Sequence, residues 1–216
     1  MGRSKLLLVW FAIALSSISV CFAAEGTPSP WAETERNINL RYPEIPKIAL
    51  ARAFAFLASH EQAVTNKNFL TLIDFDQPST AERMYVIDLQ TEEASSYLVA
   101  HGKNSGENYA GKFSNIPETK MSSLGAYLTG AEYIGQHGLS MILKGQDPTN
   151  DNAERRSIVM HPAEYVSYDY IQSYGRLGRS WGCPAVSPKV SEELIHKLKG
   201  GSVLYIYHSL LNGLEG

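Results

Sequence analysis

Phe69-Leu70-Thr71-Leu72-Ile73-Asp74-Phe75, Arg83-Met84-Tyr85-Val86-Ile87-Asp88-Leu89 and Ser95-Ser96-Tyr97-Leu98-Val99-Ala100-His101 follow one another in the chain. Each is short and rich in β-branched, aromatic and other apolar residues. Pro78-Ser79 breaks the first from the second, and the polar link Gln90-Thr91-Glu92-Glu93 joins the second to the third. That pattern reads as three strands, the last two forming a hairpin. Working outward, Gly102 to Lys120 reads as loop, with Gly102, Gly106, Gly111 and Pro117. Further strands are expected at Leu124–Thr129, Leu139–Leu143, Ser157–His161 and Ser202–Tyr207. Helices are expected at Ile48–His60, Ala163–Ser173 and Pro188–Lys199, the last opened by Pro188 and closed by Gly200-Gly201. Many short strands with few helices predict a mostly β (α+β) domain, a β-sandwich or barrel-like sheet with a few peripheral helices.

Upstream, Glu25 to Pro46 carries Pro28, Pro30, Pro43 and Pro46 and reads as an irregular lead-in. The first residues have the three parts of an export signal: basic Arg3 and Lys5, the apolar run Leu6–Val20, and the small-residue site ending at Ala23. The apolar run is shorter than the ~20 residues that span a bilayer, so cleavage after Ala23 is expected rather than a retained anchor. The organisation expected is residues 1–23 as signal peptide, 24–66 as lead-in and helix, and 67–216 as the main domain. Taking Arg3 and Lys5 from the 19 basic residues, against 22 acidic ones, moves the formal net charge from −3 to −5. A mild acidic balance argues against nucleic acid as a partner. With no second long apolar run, the processed chain is expected to be exported or periplasmic, with no stable membrane span.

Of the two cysteines, Cys21 lies in the signal, which leaves Cys183 alone in Ser180-Trp181-Gly182-Cys183-Pro184-Ala185. An unpaired thiol outside the cytosol is exposed to oxidation, and use as a nucleophile is a reason to keep it. Such a thiol needs a base. His161, closing the apolar stretch Ser157–Met160, is the best candidate. Gly182 permits a turn that aims the N–H groups of Gly182 and Cys183 at a developing oxyanion, with Ser180 holding the turn. The bland reading is a tight turn around a small buried thiol. His101-Gly102 and His137-Gly138 fit turn histidines. Asp74, Asp76 and Asp88 read as turn residues, Asp147–Arg156 as a polar loop, and Tyr165, Tyr168, Tyr170 and Tyr174 as packing residues. No His-x-x-x-His or Cys-x-x-Cys spacing supports a metal site, and neither metal nor organic cofactor is expected.

A strand ending in histidine, followed by Ser-x-Gly-Cys, resembles the catalytic signature of the L,D-transpeptidases that remodel peptidoglycan, the YkuD-like fold. Val99-Ala100-His101-Gly102-Lys103-Asn104-Ser105-Gly106, Ser123–Gly130 and Gly175–Ala185 carry the likeness closer to the murein L,D-transpeptidase catalytic-domain family, over about Asn68 to Tyr207. The resemblance implies that Cys183 is the nucleophile, His161 the base, Gly182 and Cys183 the oxyanion turn, and Ser180 the motif serine. It implies cysteine acyl transfer from a tetrapeptide stem with release of D-alanine, a role in cell-wall biogenesis, and acylation of Cys183 by carbapenems. The family pattern has His where this chain has Trp181, and Arg or Asn soon after the cysteine where it has Pro184-Ala185. Arg176 and Arg179 are therefore assigned, with His101 and Trp181, to substrate binding. Alternatives are an L,D-carboxypeptidase using water in place of an amine, and a non-catalytic wall-binding module with a buried thiol. A sortase-like enzyme would carry Arg after the cysteine, and a papain-like one would place Cys before His.

Overall fold

The computed structural model describes residues 29–213, so the expected signal peptide lies outside the described residues. The three opening strands form as expected, with one instructive difference. β1 (Phe69–Asp74) pairs antiparallel with β2 (Met84–Asp88), and β2 with β3 (Glu93–Tyr97). The third predicted strand is broken at Leu98, and its second half is a separate strand, β4 (Val99–Ala100). The remaining strands are β5 (Gly125–Gly135), β6 (Gly138–Gly145), β7 (Val159–Pro162), β8 (Ala185–Val186) and β9 (Val203–Tyr207). Their order in the sheet is β3-β2-β1-β9-β5-β6-β7-β8-β4. The two strands at its ends are consecutive in the chain and joined by Leu98 alone, so the sheet must curl until its edges approach. The result is the mostly β, barrel-like architecture expected, with four α-helices around it.

Residues at the break decide which half goes where. Tyr97 is half-buried on an edge strand, whereas Val99 and Ala100 are fully buried and pair with Val186 and Ala185 of β8. Arg83 bolts the two sheet edges together. It is wholly buried at the start of β2, and its guanidinium donates to the Val99 carbonyl from Nε (3.2 Å) and Nη2 (3.0 Å).

α2 (Lys47–Ser59) buries Leu50, Ala53, Phe54 and Leu57 against β9 and β1. At about 1.5–3 kcal/mol per buried large side chain, this face ties the helix firmly to the sheet. α1 (Ala32–Arg41) corrects the irregular lead-in. Its prolines lie outside it, at Pro30 and Pro43, and a single buried residue, Ile38, makes its apolar stripe too thin to read from sequence. Asn37 donates to the Glu92 carboxylate (3.0 Å), pinning α1 to the β2–β3 turn.

α3 (Tyr168–Tyr174) starts later than expected, because Ser167 caps it by accepting from Tyr170 N–H (3.2 Å) while Ala163 N–H is bound to Val186 O (2.9 Å). It buries none of its residues, so Tyr168 and Tyr174 are exposed rather than packed as expected. α4 (Pro188–Leu198) forms as read, capped by Ser187 and buried through Leu194, Ile195 and Leu198. Among the described residues, no helix is long and apolar enough to cross a membrane.

Candidate active site

β7 and β8 run parallel, and His161 pairs with Ala185. Cys183 therefore enters the sheet just ahead of His161's partner, and chain pairing brings the two expected chemical groups to adjacent strands. A small apolar cluster of Leu98, Ala100, Ala163, Val166, Leu177 and Ala185 lies beneath this junction and holds the short strands in place.

The Ser180–Cys183 turn is stapled by its serine. Ser180 Oγ accepts from Gly182 N–H (3.0 Å) and donates to Cys183 O (2.6 Å). Gly182 sits at φ +124°, and a Cβ there would lie 2.8 Å from Met121 O and 3.2 Å from an Arg156 nitrogen, so only glycine fits. In this turn the Gly182 amide donates to Ser180 Oγ, and Cys183's own N–H lies beside the sulfur.

Cys183 is half-buried, and its thiol donates to Ser157 O at 3.6 Å. Burial pushes the thiol above its ordinary value, opposed by a hydrogen bond from the Val159 backbone and by the charge of Arg156. The resting group is therefore S–H rather than thiolate at neutral pH. His161 is buried, and its Nδ1 lies 2.9 Å from Pro162 O. A carbonyl can only accept, so Nδ1 carries the hydrogen and Nε2 keeps its lone pair. Burial first, and then the nearby His137, hold His161 below its ordinary value, so it is a neutral base at pH 7.

His137, expected as a turn histidine, closes the β5–β6 hairpin over this base, its ring stacked on His161 at 4.4 Å between centroids and 24° between planes. Replacing His137 with alanine uncovers one face of His161 and removes a like charge. Both effects return His161 toward 6.5, so the acidic limb of a kcat/KM–pH profile should move to higher pH. His137→Phe, which preserves the stacking, should move it less.

In the sequence Arg156 is simply the end of a polar loop. It proves to be a half-buried cation beneath the Gly182 turn, donating to Ser114 O (2.8 Å) and Ser123 Oγ (3.0 Å) and also to Met121 O. Its position just before the apolar, buried stretch Ile158–Met160 was the one available signal, and periodicity cannot say where an arginine head will go. Replacing Arg156 with methionine should make Cys183 ionise at higher pH, because its charge favours the thiolate. Thiolate absorbance at 240 nm against pH measures this, and Arg156→Lys should restore part of the loss.

The expected substrate-binding residues separate. Trp181 is 69% exposed beside the cysteine, with Lys120 Nζ 4.2 Å from its ring centre. Arg179 and Arg176 both engage Glu107, at 2.7 and 3.0 Å, and Arg179 further donates to Gly106 O (2.9 Å). They brace the Gly102–Lys112 loop, although Arg179 also lines a cleft there. His101 is 0% exposed, with Nδ1 2.8 Å from Arg83 Nη2, so it lies beneath the loop as a prop rather than on the surface. On the other side of Cys183, a pocket of about 270 Å³ is lined by Tyr133, Ile142, Glu154, Ser157, Ile158 and Val159. Its walls are mostly apolar, and two of its residues, Ser157 and Val159, contact the sulfur through their backbones. Among the described residues, no cluster of three or more His, Cys, Asp or Glu is placed to hold a metal ion.

A family model described as the L,D-transpeptidase catalytic domain matches residues 42–207, well over half of the chain. The chain belongs to this family. The match takes in α2 as well as all nine strands, consistent with the packing of α2 on the sheet. The chain is similar to an L,D-transpeptidase from Mycobacterium smegmatis, with 14% identity, 65% of this chain and 59% of that one covered, and a TM-score of 0.40. It is also similar to an L,D-transpeptidase from Stackebrandtia nassauensis, with 12% identity, 82% and 77% covered, and a TM-score of 0.40. An L,D-transpeptidase solved in complex with imipenem matches at 12% identity, 65% and 59% coverage and a TM-score of 0.40. The chain thus spans about three fifths of the length of the Mycobacterium smegmatis structure. A comparison with curated proteins gives no match.

Proposed function

We propose that this L,D-transpeptidase-family chain is an exported cysteine acyltransferase that cross-links peptidoglycan stems. The observation that carries the reading is the pairing of β7 with β8, which sets a neutral, Nδ1-anchored His161 on the strand next to a lone Cys183 held above Arg156. His161 Nε2 takes the thiol proton as Sγ attacks the carbonyl between the third residue of a tetrapeptide stem and its terminal D-alanine. The tetrahedral oxyanion is met by Cys183 N–H, and by Gly182 N–H once it leaves Ser180 Oγ. The intermediate collapses, His161 returns the proton to the departing D-alanine amine, and a thioester remains. An amine of a second stem then attacks the thioester, gives its proton to His161, and leaves a new amide as the thiol is restored.

In this reading Arg156 supplies the positive charge near the sulfur that the family pattern places after its cysteine. The imipenem complex of the related enzyme suggests a carbapenem as a covalent probe of Cys183. The deciding experiment is mass spectrometry of residues 24–216 incubated with disaccharide-tetrapeptide, with a Cys183→Ala sample as blank. Loss of D-alanine with dimer formation supports the transpeptidase, and loss without dimer makes the protein a carboxypeptidase. An unchanged substrate together with a thiol inert to carbapenem would leave the wall-binding module.

A further inference from the structure

Outside the Cys183 pocket, a cleft of about 400 Å³ lies over the Gly102–Lys112 loop. Lys103, Lys112 and Arg179 line it, with Tyr109 and a single carboxylate, Glu107. Both oxygens of that carboxylate are taken, by Arg179 and by Arg176, so the cations outnumber the negative charge they face. This is a local positive field on a chain whose formal net charge is −3.

The loop is built rather than loose. Arg179 Nη1 donates to the Lys103 (3.1 Å) and Gly106 (2.9 Å) carbonyls, Asn104 Nδ2 to Thr119 O (2.9 Å), and Ser122 N–H to Ser105 Oγ (2.9 Å). His101 lies beneath it, with Nε2 3.3 Å from Gly106 O. The cleft is also wired to the reactive turn. Lys103 N–H donates to Ser180 O (2.7 Å), and Ser180 Oγ donates to Cys183 O (2.6 Å). The cleft wall and the turn that carries Cys183 are therefore neighbours, joined through Lys103 and Ser180. The pocket beside Ser157 and Val159 has mostly apolar walls and carries Glu154, so it is a poor place for anions.

We infer that the Lys103–Lys112–Arg179 cleft binds the free carboxylates of the acyl-donor peptide, making this protein selective for stems whose side-chain carboxyls are unblocked. The inference rests on the proposed function for the identity of the ligand, but binding and turnover can be measured apart. Lys103 and Lys112 are exposed and engage no carboxylate among the described residues, so a peptide carboxylate meets them without breaking a pair.

The test is calorimetric binding of two synthetic tetrapeptides to the Cys183→Ala protein. One has free carboxyls, and the other has the same carboxyls converted to carboxamides. The free peptide is expected to bind roughly tenfold more tightly, with the advantage shrinking as salt rises. Lys103→Gln/Lys112→Gln in the same background should erase that advantage and leave the carboxamide peptide unchanged. Equal binding of the two peptides, no effect of the double substitution, or no binding of either peptide would overturn the inference. None of these readouts uses the nucleophile, so a cleft that fails is told apart from a transferase that fails, which shows only as missing D-alanine release by the unsubstituted protein.

Discussion

Exchanging His161 for glutamine is expected to slow D-alanine release by about 10²- to 10⁴-fold at neutral pH, with little change in KM. The reason lies in the direction of two shifts. Burial raises the Cys183 thiol, so the resting thiol keeps its proton, and that proton faces the Ser157 carbonyl, which cannot remove it. Burial lowers His161, so the ring is unprotonated, and Pro162 O holds the hydrogen on Nδ1. A neutral thiol beside a neutral imidazole makes proton removal part of the attack rather than a step completed beforehand. Glutamine fills similar space and still offers an N–H to Pro162 O, but has no lone pair basic enough to accept the thiol proton. The deficit should narrow as pH rises, because hydroxide then ionises the sulfur unaided and Arg156 stabilises the product. A pH series of release rates for both proteins reads this directly. A loss under about tenfold at pH 7, or one that does not narrow with pH, would remove His161 from the role of base.

Replacing Arg83 with methionine is expected to destabilise the fold by about 3–5 kcal/mol, the range for breaking a buried charged network from one side. The methionine would fill the volume over Phe75, whose ring centre lies 4.8 Å from the guanidinium carbon. It would leave the carbonyls of Val99 and Gln77 (2.8 Å from Nη1) and Nδ1 of His101 without their donor. Unsatisfied buried acceptors cost about 1–3 kcal/mol each before relaxation. Asp74, whose carboxyl is already raised by burial, would also lose a neighbouring positive charge. Urea unfolding gives the number, and a loss below about 1 kcal/mol would show that the sheet edges close without this bolt.

The same contact makes the unsubstituted protein acid-sensitive. Burial first, and then Arg83, push His101 down to about 4 from 6.5. The unfolded chain therefore takes up a proton near 6.5 that the folded chain refuses until about 4, so this group's stabilisation is full above 6.5 and is lost as pH falls through that window. The loss is roughly 3 kcal/mol in all at 1.36 kcal/mol per pH unit, and it should disappear in His101→Gln if the glutamine oxygen accepts from Arg83.

Local chemistry in the chain was enough to determine the mostly β class, the main strand positions, the α2 and α4 helices, and a reactive turn that requires glycine at 182. Each of these rests on a short-range rule: short β-branched and apolar runs between chain breakers, proline and glycine at element ends, or the steric demand of one dihedral angle. Ser180-Trp181-Gly182-Cys183 and His161 could be singled out as candidates because nucleophile and base chemistry restricts residue type wherever the groups lie, and their roles belong to the proposed function. Only tertiary structure decided that Ser95–His101 breaks at Leu98 and sends its halves to opposite ends of the sheet. The pattern on either side of Leu98 is equally strand-like, and the difference appears only when Val99 meets β8 and Arg83. Tertiary structure likewise brought Arg156 under the cysteine, stacked His137 on His161, and turned Arg176 and Arg179 toward Glu107. A long polar side chain on a loop carries no periodic signal of its destination, because its energy is set by partners tens of residues away that only chain closure brings within hydrogen-bond reach.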